Sequence, residues 1–150
     1  MAIILNFNPV LLKKRRKETS VSIEGRWILT DYKWVHTDRV DGSTGGGYMS
    51  FSPSDSEYHV CFSQGFKCEL YTPASAVFDD SDSAGGTTGK YSLNVNRNEI
   101  TFKLEGQTVR FSILCLTNDT LQLYWTNGDK KLTIEDFFIF TRDKSHKENP

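Results

Sequence analysis

Residues 91 to 125 read YSLNVNRNEITFKLEGQTVRFSILCLTNDTLQLYW, and this stretch decides the fold. Tyr91, Leu93 and Val95 alternate with Ser92 and Asn94, and Asn96-Arg97-Asn98 interrupts the pattern. Ile100, Phe102 and Leu104 then alternate with Thr101 and Lys103 up to Glu105-Gly106-Gln107. Val109, Phe111, Ile113 and Cys115 follow at the same spacing, and Thr117-Asn118-Asp119 leads into Leu121, Leu123 and Trp125. A period of two belongs to a strand with one buried face, and short Gly, Asn and Asp segments carry turn chemistry. Four consecutive strands joined by tight turns predict an antiparallel up-and-down meander.

The flanking segments extend the pattern. Gly25 to Val35 places Trp27, Ile28, Leu29, Tyr32, Trp34 and Val35 on both faces of a first strand. A glycine-rich loop, Asp41 to Gly47, precedes a strand over Tyr48-Met49-Ser50-Phe51 that Pro53 ends. Tyr58 to Phe62 and Phe66 to Tyr71 form a hairpin across Ser63-Gln64-Gly65. Placing Phe62 opposite Phe66 sends Tyr58, Val60, Phe62, Phe66, Cys68 and Leu70 to one core, with Gly65 at the left-handed position of the loop. Thr72 to Thr88 is the longest irregular segment, of the kind that often covers a site. After a turn at Thr126 to Asp129, Leu132 to Thr141 can start helically but finishes as Phe137-Phe138-Ile139-Phe140, apolar on both faces and so expected to be a strand buried on both sides. The count is eight to nine strands, and closure into a β-barrel removes the exposed edges that such a chain would otherwise leave. The organisation is an N-terminal extension over residues 1 to 22, a barrel over 23 to 142, and a charged tail over 143 to 150.

Composition narrows the function classes. Among 150 residues, hydrophobic residues make up 37% and charged residues 25%, the balance of one folded domain. No run approaches the roughly 18 apolar residues of a transmembrane helix. The net charge is −1, from 18 Lys+Arg and 19 Asp+Glu. Lys13-Lys14-Arg15-Arg16-Lys17 supplies five of the positive charges; the other 13 face 19 negative ones, so the rest of the chain stands at −6. A nucleic-acid-binding barrel needs the opposite excess. The basic run reads as a solvated linker, with nuclear import or attraction to an anionic surface as alternatives. It follows the apolar residues of Met1 to Leu12 rather than preceding them, which is not the order of a secretory signal, so a cytoplasmic location is expected. Export is the alternative if the start codon is misassigned.

Three cysteines, with no CxxC and no histidine at zinc-finger spacing, suit a reducing compartment and predict neither a disulfide nor a metal site. Cys61 and Cys68 fall on opposite faces of the hairpin, whereas a disulfide needs Cβ atoms about 4 Å apart. Cys115 reads as a buried thiol. His36, His59 and His146 are isolated, with neither HExxH nor GxSxG nearby, so each reads as a satisfied or solvated side chain. Asp79, Asp80 and Asp82 invite a calcium loop, but Ala84 stands at the next ligand position and no glutamate closes the run. Gly45-Gly46-Gly47 lacks the lysine and helix of a phosphate cradle.

Gly25-Arg26-Trp27, at the start of the first strand, resembles the G-x-W motif of the lipocalins and the wider calycin group. Gly89 to Leu93, Glu99 to Phe102 and Ile113 to Leu123 are similar to bacterial lipocalin-like proteins. The resemblance spans about residues 23 to 142 and implies a lipocalin-like barrel. It also implies that Trp27 closes one end and that a basic residue of the last strand, by position Arg142, packs over the indole. Thr30-Asp31-Tyr32 carries the letters of the lipocalin TDY triad but sits in the first strand, and is read as coincidence.

An eight-stranded barrel is either just filled by side chains or holds one small ligand. The expected function is binding of a small hydrophobic molecule, without catalysis and without a cofactor. Alternation selects Met49, Phe51, Tyr58, Val60, Phe62, Tyr91, Leu93, Phe102, Phe111 and Leu123 as its lining, with the hydroxyls of Tyr58 and Tyr91 available to a polar head group. The alternative is an interaction protein with a filled barrel that engages a macromolecule through the loops Asp38 to Gly47 and Thr72 to Thr88. A calycin enzyme is a third reading.

Overall fold

The computed structural model describes residues 21–71, 87–104 and 106–144. Lys13 to Lys17, the rest of the extension to residue 20, residues 72–86 of the irregular segment, Glu105 and the tail from residue 145 lie outside the described residues. Nine strands form one antiparallel sheet: β1 (Gly25–Asp38), β2 (Thr44–Ser50), β3 (His59–Ser63), β4 (Lys67–Tyr71), β5 (Thr87–Asn94), β6 (Glu99–Leu104), β7 (Gln107–Leu116), β8 (Thr120–Gly128) and β9 (Leu132–Arg142). The sheet closes through β1 and β9, paired from Trp27↔Arg142 to Asp38↔Leu132. Eight strands make the barrel and β2 is the extra one. One edge of β1 is shared, with residues 25 to 28 pairing with β3 and residues 31 to 37 with β2. Phe51 donates its amide to the Thr30 carbonyl at this changeover.

Apolar residues on both faces of the first strand are explained by a β-bulge at Thr30, where the β1–β9 register slips between Leu29 and Asp31. A bulge inserts one residue and reverses which parity faces inward. Trp27 and Leu29 therefore point into the barrel before it, and Tyr32 and Trp34 after it. The Thr30 hydroxyl donates to the Ile139 carbonyl at 3.2 Å across the irregularity. A second bulge at Leu114 does the same in β7. Ile113 faces Leu123 and Leu116 faces Leu121, both in the core, while Cys115 sits opposite Gln122; it is buried, but outside the core cluster that the alternation assigned to it.

Other segments differ from the sequence reading. The glycines of residues 45 to 47 belong to β2 rather than to a loop, and the connection from β1 is only residues 39 to 43. Gly47 lies opposite Trp34, and a Cβ there would come within 2.1 Å of the indole, so the glycine lets the ring lie across the strand. The β3–β4 hairpin pairs Phe62 with Cys68, not with Phe66. Its loop is Gln64-Gly65-Phe66, in which Gly65 (φ 79°) and Phe66 (φ 59°) are both left-handed, and Phe66 is 60% exposed. Val60, Phe62, Cys68 and Leu70 keep the inward face that the alternation gave them, because a shift of two residues preserves parity, but Phe66 leaves the core for the loop. Thr126 to Gly128 extends β8, and β9 is strand from its first residue. Only the inward face of β9, Asp136, Phe138 and Phe140, is fully buried. Phe137 and Ile139, on the outside, are half-buried and line an open groove of about 590 Å³ with Leu114 and Lys33.

One end of the barrel is closed by residues 21 to 24. Ile23 is buried, and its carbonyl accepts the Trp27 indole N–H at 2.8 Å. The Arg142 guanidinium lies 4.2 Å from the centre of the Trp27 ring and donates to the carbonyls of Ser22, Glu24 and Asn118. Above this plug the interior is an aromatic lattice. Phe62 meets Tyr91 and Phe102, Phe102 meets Phe111, Phe111 meets Phe138, and Phe138 stacks on Phe140, at centroid distances of 4.8 to 6.2 Å.

Candidate functional site

The opposite end is built differently. Past the Thr30 bulge, β1 turns Tyr32 and Trp34 inward; β9 contributes Asp136 and β8 contributes Trp125, each by strand parity. Asp136 is the cross-strand neighbour of Trp34 on one side and of Trp125 on the other. Trp34, Met49, Phe51, Tyr58 and Trp125 are half-buried and pack against the edge of the core. Phe51 meets Tyr58 edge-on and Tyr58 stacks on Tyr71. Trp34 stacks on Tyr32 at 5.0 Å and Tyr32 on Phe138 at 4.7 Å, so one column of rings runs from this end into the core.

Asp136 is the polar centre of the arrangement. It is 1% exposed; its Oδ1 accepts the Tyr32 hydroxyl at 3.1 Å, and its Oδ2 has no hydrogen-bond partner among the described residues. Burial raises its pKa above the ordinary carboxylate value, against the smaller opposing effects of the Tyr32 hydrogen bond and of His36. A buried carboxyl with an unused oxygen is a directional group facing an apolar, aromatic surround, the composition of small-molecule sites.

The sign of its effect on stability follows from proton binding. The unfolded chain releases this proton near about 3.9, while the folded protein holds it to higher pH and so binds more protons in between. Stability therefore declines as pH rises from about 4 through the raised value. Asp136→Asn cannot ionise, so its stability relative to the parent protein should improve between pH 4 and pH 8 in urea denaturation. A difference that stays constant across that range would show that the carboxyl is not perturbed.

The alternation-selected residues divide into three groups. Val60, Phe62, Tyr91, Phe102, Phe111 and Leu123 are at most 5% exposed and belong to the packed core. Met49, Phe51 and Tyr58 sit at the aromatic end. Leu93 is 38% exposed, on a part of β5 that extends beyond its pairing with β4. Tyr58 and Tyr91 do not share a site: Tyr58 packs with Phe51 and Tyr71, and Tyr91 with Phe62 and Phe66. Trp34, Trp125, Tyr32 and Asp136 were absent from the sequence selection. The signal available for Asp136 was a single acid two residues before the alternating Phe138 and Phe140. The site and the closed barrel together define a small antiparallel β-barrel with one plugged end and one aromatic end built round a buried acid. No protein-family model, curated protein or solved structure gives a significant match to the chain.

Proposed function

We propose that the protein is a lipocalin-like binding protein for a small, largely apolar molecule, held at the aromatic end of the barrel by Trp34, Met49, Phe51, Tyr58 and Trp125. The observation that carries this reading is Asp136, buried between two tryptophans with one carboxyl oxygen unpaired among the described residues. A ligand bearing one polar group among apolar ones satisfies that oxygen and covers the half-buried rings. The packed lattice below sets the depth of the site, because Phe102, Phe111 and Phe138 are already in mutual contact. Native mass spectrometry of the purified protein, before and after denaturing extraction, tests the reading. A retained small molecule is expected, lost in Trp34→Ala and weakened in Asp136→Leu. Repeated absence of any adduct, with no thermal shift across lipids, sterols and haem, would favour the interaction protein that binds through its loops.

A further inference from the structure

The outer face of the β3–β4 hairpin gathers residues that the sequence spacing left apart. His59 and Cys61 stand two residues apart on β3 and project to the same side, opposite to buried Val60 and Phe62. Glu69 on β4 is the direct cross-strand partner of Cys61. The ligating atoms of the three side chains lie within 4.8 Å of one another. Tetrahedral zinc, with bonds of about 2.0 to 2.3 Å, places its ligand atoms about 3.3 to 3.8 Å apart, so small side-chain rotations close the set. We propose that His59, Cys61 and Glu69 form a zinc site with a fourth, exchangeable position open to solvent.

The surroundings suit this role. The Glu57 carbonyl lies 3.3 Å from Nδ1 of His59 and, as an acceptor, requires a proton on that nitrogen, which leaves Nε2 for the metal. Tyr71, the cross-strand partner of His59, holds a ring 5.9 Å from the imidazole. Arg26, opposite Cys61 on β1, is itself engaged by Asp143 at 3.1 Å. An open cavity of about 500 Å³, lined also by Lys67 and Lys90, adjoins Cys61 and Glu69 and leaves their outer side accessible to solvent. A nitrogen, a sulfur and a carboxylate oxygen with one vacancy match the ligand count of a catalytic zinc ion rather than a closed structural one.

The test uses the untagged full chain titrated with Zn²⁺ by calorimetry, and with Co²⁺ as a spectroscopic stand-in. One ion per chain is expected, with a thiolate-to-cobalt charge-transfer band in the near ultraviolet and a rise in melting temperature on adding Zn²⁺. Cys61→Ser and His59→Ala should each weaken binding by at least about tenfold, and Cys61→Ser should abolish the charge-transfer band. His146→Ala should leave binding intact. Because the three side chains project outward, melting of the metal-free variants should match the parent and separate lost ligation from lost folding. Failure of the parent chain to take up either ion, or unchanged affinity in Cys61→Ser and His59→Ala, would overturn the proposal.

Discussion

Trp27→Ala is expected to lower unfolding free energy by about 3 to 5 kcal/mol, the cost of truncating a fully buried large aromatic side chain. Trp27 is 0% exposed and connects three elements. Its indole N–H ties down Ile23, its ring face receives the Arg142 guanidinium, and its strand pairs with both β3 and β9. The substitution removes packing and also releases residues 21 to 24, which close that end of the barrel. Arg142→Ala should cost about 2 to 3 kcal/mol, since the carbonyls of Ser22, Glu24 and Asn118 lose a charged donor while the indole loses its cationic partner. Arg142→Lys should recover only part of this, because one ammonium cannot reproduce the planar fork that reaches all three carbonyls. Urea denaturation at neutral pH measures all three variants. A loss below about 1 kcal/mol for Trp27→Ala would show that the plug is not integral to the barrel.

Phe111→Ala should also cost about 3 to 5 kcal/mol, for a different reason. Phe111 is 1% exposed and meets Phe102 and Phe138 edge-on at 5.6 and 5.8 Å, so truncation opens a void in the middle of the ring lattice. Val40→Ala, at a side chain 78% exposed, should change stability by less than about 0.5 kcal/mol and serves as the reference. If Phe111 lined a ligand cavity instead, the variant would retain its melting temperature and change ligand uptake. The two outcomes separate a filled lower barrel from a hollow one, and therefore decide how deep a ligand at the aromatic end can reach.

The meander was the most legible part of the molecule. Tyr91, Phe102, Phe111 and Leu123 repeat at a period of two between clear turns, and the structure buries all four. Each of those strands pairs with its sequence neighbour, so local patterning and tertiary pairing demand the same thing. The glycine-rich segment was less legible because glycine is poor in strand propensity. Gly47 is in a strand through its pairing with Trp34, whose indole takes the space that a Cβ would need. The hairpin register escaped for a related reason: alternation constrains parity, and Phe62 opposite Cys68 satisfies the same faces as Phe62 opposite Phe66.

What the sequence determined alone is the class of architecture: alternating apolar residues and polar turns force each strand to bury one face, and closure satisfies the edges. Which residues meet at the two sites was decided by tertiary structure. The bulge at Thr30 is one extra residue relative to a partner more than a hundred positions away, and it is what turns Tyr32 and Trp34 inward beside Asp136. His59, Cys61 and Glu69 converge because hydrogen bonding across the hairpin sets Glu69 opposite Cys61. Register between strands is a property of their pairing, and a one-residue shift in it exchanges inside for outside.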